Sequence, residues 1–190
     1  MFGKMNYEKI FEDIFEKLKN VPDEGKVADY IPELARVNPD SFGVHLTTVD
    51  GTHHAFGDSE TRFSVQSIAK VLSFVLAYSH LKSNIWKRMD LEPAGTPFNS
   101  LVQLEYDRGI PRNPFVNAGA IVVCDILVSR LDDPSGEVLE FVRSLSGNNK
   151  IDYNLKVAYS ERSMAYRNYA LIHLMKSFGN IRNDIEKVMD

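Results

Sequence analysis

The stretch NAGAIVVCDILVSRL, Asn117–Leu131, contains the most apolar run of the chain, and its reading decides the fold. From Ala118 to Val128 a single charge, Asp125, interrupts the run, which is about half of the ~20 residues a membrane-spanning helix needs. The stretch therefore predicts a core helix, with Asn117 as a favoured N-cap after Arg112-Asn113-Pro114-Phe115-Val116. Helical patterns flank it on both sides. Ser67–Leu81 runs without Gly or Pro, and Gly136–Ser144 and Arg167–Phe178 follow, the last closed by Gly179 as a C-cap. Glu92–Pro114 carries six Gly or Pro breakers and predicts an ordered loop region rather than a long element.

Toward the N-terminus the periodicity changes. Tyr7, Ile10, Phe11, Ile14, Phe15 and Leu18 recur every three or four residues between charged positions, which predicts an amphipathic helix with one buried face. Gly25 to Asp40 carries two prolines and reads as a connector with one helical turn. Ser41–Thr48 and Thr52–Gly57 surround Val49-Asp50-Gly51, a hairpin signal, with His53-His54 expected to be exposed just past the turn. The fold class is thus α+β, mostly helical with an N-terminal antiparallel hairpin, and two strands in 190 residues mean that helices cover the hairpin or that strands are missing.

A composition of 44% hydrophobic and 25% charged residues over 190 positions suits one domain, 1–190, with an N-terminal helix within 1–24, a hairpin at 41–57 and a mainly helical 67–190. The balance of 22 basic and 26 acidic residues leaves no basic stretch to neutralise a row of phosphates, so nucleic acid is a poor partner. No segment suggests a membrane, and the N-terminus lacks the uninterrupted apolar stretch of an export signal. With the single Cys124 among apolar neighbours, this predicts a cytoplasmic protein with an inert thiol. Five histidines show no metal-ligand spacing, and no glycine-rich phosphate or dinucleotide loop is present, so the expectation is no metal and no cofactor.

Ser67-Ile68-Ala69-Lys70 places a hydroxyl and an amine one helical turn apart on one face. Burial lowers a lysine pKa, so Lys70 can serve as base for a Ser67 nucleophile. The same spacing at Ser79-His80-Leu81-Lys82 falls at a polar helix exit, whereas Ser67 stands where a partly extended stretch turns into an apolar helix and can face a cleft. Spacing alone also allows a helix-start serine with a surface lysine. Asn117 is either an N-cap or a substrate-holding amide. Glu161 and Asn168, seven apart, share a helix face if that helix begins early, and are otherwise a solvated acid and a second N-cap, the reading spacing favours.

Taken together, five segments resemble the bacterial-type glutaminases, a family grouped with the serine β-lactamase-like and penicillin-binding enzymes. They are KVADYIPEL (26–34), FSVQSIAK (63–70), EPAGTPFNS (92–100), NPFVNAGA (113–120) and the run from Ser160-Glu161 to Arg167-Asn168. The resemblance covers the chain from about Gly25 and implies a β-lactamase/transpeptidase-like fold and hydrolysis of L-glutamine to L-glutamate and ammonia without a cofactor. It implies Ser67 as nucleophile and Lys70 as base, through a glutamyl ester. It further implies substrate binding by Tyr30, Gln66, Ser67, Asn117, Glu161 and Asn168, and a homo-oligomer, a tetramer. Family members continue past Asp190 with more active-site tyrosines and a late strand, and no Lys-[Ser/Thr]-Gly triad occurs here, so the chain is expected to be an N-terminal portion lacking the C-terminal strands of the sheet. Two alternatives stay open: a penicillin-recognising serine acyl-transfer enzyme, which shares Ser-x-x-Lys but works outside the cytoplasm, and a non-catalytic helical module that packs Asn117–Val128 on partners.

Overall fold

Residues 5–19, 21–22 and 25–190 are described by the computed structural model, and they divide after Ser64 into two units. In the first, Tyr7–Lys19 forms α1, Pro32–Ala35 a single-turn α2, and β1 (Gly43–Thr47) pairs antiparallel with β2 (His53–Gly57) in the register Gly43↔Gly57 to Thr47↔His53. Val49-Asp50-Gly51 closes the hairpin. Gly51 N donates to the Thr48 carbonyl at 2.9 Å, and Gly51 adopts φ +82°, the left-handed position that a three-residue hairpin loop reserves for glycine.

Strand alternation turns Val44, Leu46, His54 and Phe56 to one face, and α1 covers that face with side chains four apart. Tyr7 packs on the His54 ring at 4.8 Å, Phe15 on Phe42 and Phe56 at 5.1 and 5.5 Å, and Phe11 is buried. Two expectations need correction here. His54 is tucked in, its Nδ1 2.6 Å from Glu8 Oε1, and only His53 is exposed, because neighbouring strand residues face opposite ways. The buried face of α1 narrows to Tyr7, Phe11 and Phe15, while Ile10, Ile14 and Leu18 stay exposed, because two strands offer only a narrow row of inward side chains.

In the second unit Gln66–Ile68 make one 3-10 turn that leads into α3 (Ala69–Leu81), so the helix expected from Ser67 begins two residues later. There follow a 3-10 stretch at Lys82–Lys87, α4 (Leu101–Tyr106), α5 (Asn117–Val128), α6 (Pro134–Ser146), α7 (Leu155–Ser163), α8 (Tyr166–Ser177) and α9 (Ile185–Met189). The apolar run forms the axis: Ile121, Val122, Val123, Ile126 and Leu127 of α5 are all buried, against Ala77 of α3, Leu171, Ile172 and Met175 of α8 and Val188 of α9. Gly119 permits a close crossing, since a Cβ there would lie 2.0 Å from the Asn113 carbonyl oxygen. The predicted helices are present. The short α4, α7 and α9 were not read, although Ser100, Asn154 and Asp184 cap them as N-cap rules describe.

Asp125 is fully buried and paired rather than a mere interruption of the run. Its Oδ2 accepts from Arg88 Nη2 at 2.5 Å, and its Oδ1 accepts from the backbone of Arg182 at 3.1 Å and of Asn183 at 2.9 Å. Asn180 completes the cluster, donating to the Arg88 and Gly109 carbonyls at 3.0 and 2.8 Å. The fold is mostly helical with one antiparallel hairpin, as expected, and among the described residues β1–β2 is the whole sheet. No helix of the described residues is long and apolar enough to cross a membrane.

Candidate active site

Ser67 sits in the 3-10 turn before α3, exposed, and its hydroxyl has no hydrogen-bond partner among the described residues. The first bond of that turn runs from Ile68 N to the Val65 carbonyl at 3.0 Å, so the Ser67 N–H lies ahead of it, where helix starts leave donors unused. Gln66 takes φ +46°, a left-handed conformation that costs a non-glycine residue about 1–3 kcal/mol and persists only where its surroundings enforce it. A serine presented on a sharp, strained turn is the arrangement nucleophilic hydroxyls use.

Lys70 lies one turn further on and is half-buried. Its Nζ donates to Asn117 Oδ1 at 2.7 Å and to the Phe115 carbonyl at 3.2 Å, and burial pushes its pKa below the usual lysine value. A neutral amine has two N–H donors and one lone pair. The two acceptors occupy both donors, so a neutral Lys70 keeps its lone pair for taking a proton.

Asn117 holds this arrangement together, and it does so because it is not the N-cap. Val116 caps α5 in extended conformation, while Asn113 Oδ1 takes the Phe115 and Val116 N–H groups at 2.9 and 3.1 Å. The Asn117 backbone N–H donates to the Phe98 carbonyl at 2.9 Å. Its side chain is thereby released, with Oδ1 accepting from Lys70 and Nδ2 donating to Asn168 Oδ1 at 3.1 Å. Asn168 lies inside α8, whose N-cap is Ala165, so the second N-cap reading fails as well. Three residues far apart in sequence, from α3, α5 and α8, form one chain of hydrogen bonds.

The remaining candidates are Glu161, Gln66 and Tyr30. Glu161 is on α7, and the chain breaks at Met164-Ala165 before α8, so Glu161 and Asn168 do not share a helix face. Glu186 of α9 ties the two helices, accepting from Arg162 Nη2 at 3.3 Å and from the Tyr169 hydroxyl at 3.1 Å. Gln66 is half-buried beside Ser67, and Tyr30, in the first unit just before α2, is 54% exposed. Two features escaped the sequence reading. The Phe115 carbonyl carries no side-chain signal, and Phe98, whose ring centroid lies 5.7 Å from Lys70 Nζ, falls in the EPAGTPFNS segment of the resemblance but is not among the residues to which it gives a role. No cluster of three or more metal-ligating side chains occurs among the described residues.

Comparison with known proteins gives one consistent outcome. The glutaminase family profile matches residues 25–190. A glutaminase of Saccharophagus degradans is 56% identical over 186 residues, which is 98% of this chain and 61% of that protein. One of Christiangramia forsetii is 50% identical over 186 residues, again 98% of this chain and 61% of the relative. Among solved structures, the probable glutaminase ybaS superposes with a TM-score of 0.85 at 28% identity, over 97% of this chain and 60% of the other. A probable glutaminase of Bacillus subtilis gives 0.69 at 34% identity, over 77% and 48%. The chain thus spans about 61% of the length of these curated relatives.

Proposed function

The chain belongs to the glutaminase family, and we propose that the protein hydrolyses the side-chain amide of L-glutamine to L-glutamate and ammonia. The observation that carries this reading is the Lys70–Asn117–Asn168 chain, which gathers three of the residues singled out by the resemblance one helical turn from a serine hydroxyl that has no hydrogen-bond partner among the described residues. In this reading Ser67 Oγ attacks the carboxamide carbon as neutral Lys70 takes the hydroxyl proton. The C–N bond breaks, Lys70 returns that proton to the leaving nitrogen, and ammonia departs from a glutamyl ester. Water, deprotonated by Lys70, cleaves the ester and restores Ser67. The Ser67 N–H supplies one donor to the oxyanion, and such a donor is worth ~3 kcal/mol of barrier.

Tyr30, Gln66, Asn117, Glu161 and Asn168 bind the substrate under this proposal. Glu161 supplies the carboxylate for the α-ammonium, and the two asparagines supply amides for the backbone end of glutamine. The chemistry requires no metal or organic cofactor, since proton transfer and acyl transfer are both served by the serine, the lysine and the amides. The protein is read as a cytoplasmic homo-oligomer, a tetramer. The test is glutamate and ammonia release from L-glutamine, run beside Ser67→Ala and an L-asparagine control. Release that disappears in Ser67→Ala supports the assignment, and release at the same rate in that variant overturns it.

A further inference from the structure

The loop Thr96–Ser100 is bound to both helices that carry the amides of the site. The Phe98 carbonyl takes the Asn117 N–H of α5 at 2.9 Å, and the neighbouring Asn99 carbonyl takes Arg167 Nη1 of α8 at 3.3 Å. Ser100, the next residue, caps α4 by accepting from Gln103 N. These anchors set the Phe98 ring, 63% exposed, over the Lys70 ammonium with 5.7 Å between Nζ and the ring centroid. That separation lies within the ~6 Å at which a ring face attracts a cation.

We propose that Phe98 is a positioning residue of this site, whose ring sets the proton affinity of Lys70 by favouring its ammonium form. The proposal rests on Lys70 serving as the base for Ser67. Burial lowers the proton affinity of Lys70. The groups hydrogen-bonded to Lys70, the Phe115 carbonyl and the Asn117 amide, are uncharged. Of the charged groups on neighbouring helices, Asp125 of α5 pairs with Arg88, Arg143 of α6 with Glu140, and Arg167 of α8 with the Asn99 carbonyl, while Glu137 of α6 and Lys82 and Lys87 of the following 3-10 stretch make no hydrogen bond to Lys70. The 3-10 turn before α3 carries no charge. The ring quadrupole adds to the Phe115 and Asn117 acceptors in opposing desolvation, and it helps keep the base from losing its proton too readily to pass one to the leaving nitrogen.

The experiment is competitive acetylation of the lysines from pH 7 to 11, with the Lys70 peptide read by mass spectrometry against exposed Lys82 as internal reference. It compares the unmodified protein with Phe98→Leu, which keeps apolar bulk and removes the π face, and with Phe98→Tyr, which keeps the face. The Lys70 titration is expected to fall by about half a pH unit in Phe98→Leu, the size of a cation–π contact at a partly exposed site, and to stay put in Phe98→Tyr. A Lys70 titration that is unchanged or raised in Phe98→Leu, with unchanged circular dichroism, overturns the proposal, as does an equal fall in both variants. Glutamine hydrolysis is assayed on the same samples. Its absence in the unmodified protein counts against the catalytic reading alone, because the labelling needs no turnover.

Discussion

Asp125→Ala is expected to cost the second unit roughly 4–6 kcal/mol, among the largest effects of a single substitution. The side chain is fully buried and accepts from Arg88 Nη2, from the backbone N–H of Arg182 and Asn183, and from Asn183 Nδ2 at 2.9 Å. Its removal strands the guanidinium of Arg88, only 5% exposed, and an uncompensated buried charge costs about 3–5 kcal/mol. Asn183 Nδ2 keeps the Asp125 carbonyl and Ser129 Oγ as acceptors, and the unmet backbone donors together add about 1 kcal/mol once water enters the space left by the carboxylate. Arg88→Met acts differently. It removes the cation but leaves the carboxylate its three N–H donors from residues 182 and 183, so the cost is expected to be about 2–3 kcal/mol. Urea unfolding followed by Trp86, the one tryptophan and a member of the second unit, measures both variants. Arg88→Met costing as much as Asp125→Ala would refute the reasoning, because the backbone donors would then not be what holds the carboxylate. The pH dependence gives a second check. Burial raises the Asp125 pKa, but hydrogen bonds from Asn183 and Arg88 outweigh it and leave a net depression. A depressed folded value means stability that is present above the unfolded value near ~3.9 and lost as pH falls through the folded one. The acid limb of stability should therefore appear below about pH 4 and shrink in Asp125→Ala. The consequence reaches the candidate site, since Asp125 lies eight residues, about 12 Å, along α5 from Asn117 and fastens that helix to the chain at Arg182-Asn183.

Two further outcomes are expected. Asn117→Asp sets a carboxylate where an amide oxygen now lies 2.7 Å from Lys70 Nζ, which should raise the Lys70 titration by about 1–3 pH units. The acid limb of glutamine hydrolysis should then move to higher pH by the same amount, with activity near neutrality falling at least tenfold. A limb that stays in place excludes Lys70 as the base. Cys124, whose thiol is pushed up to about 11 by burial and then by the Asp125 carboxylate, should resist a thiol-specific disulfide reagent at pH 8 and react fully in denaturant. Rapid labelling of the native protein would show that the α5 core opens readily.

What could be read along the chain was what depends on near neighbours. The α1 periodicity, the Val49-Asp50-Gly51 hairpin, the apolar run of α5 and the Gly179 stop of α8 each follow from residues within a few positions of one another, and each is present. Ser67 and Lys70 were legible for the same reason, being one turn apart. Glu161 and Asn168 were judged by the same local logic, and the short break at Met164-Ala165 was enough to defeat it.

Tertiary structure decided which partner each polar group took. Asn117 has the composition of an N-cap, yet Asn113 satisfies the neighbouring N–H groups and leaves the Asn117 amide to bridge Lys70, 47 positions away, and Asn168, 51 away. Asp125 looks like an interruption in a hydrophobic run until Arg88 and the Arg182-Asn183 backbone surround it. The physical reason is common to both. Backbone propensity and apolar periodicity act over one or two turns and are written locally, whereas a buried donor or acceptor must be satisfied by whatever group the packing of distant helices brings within 3 Å.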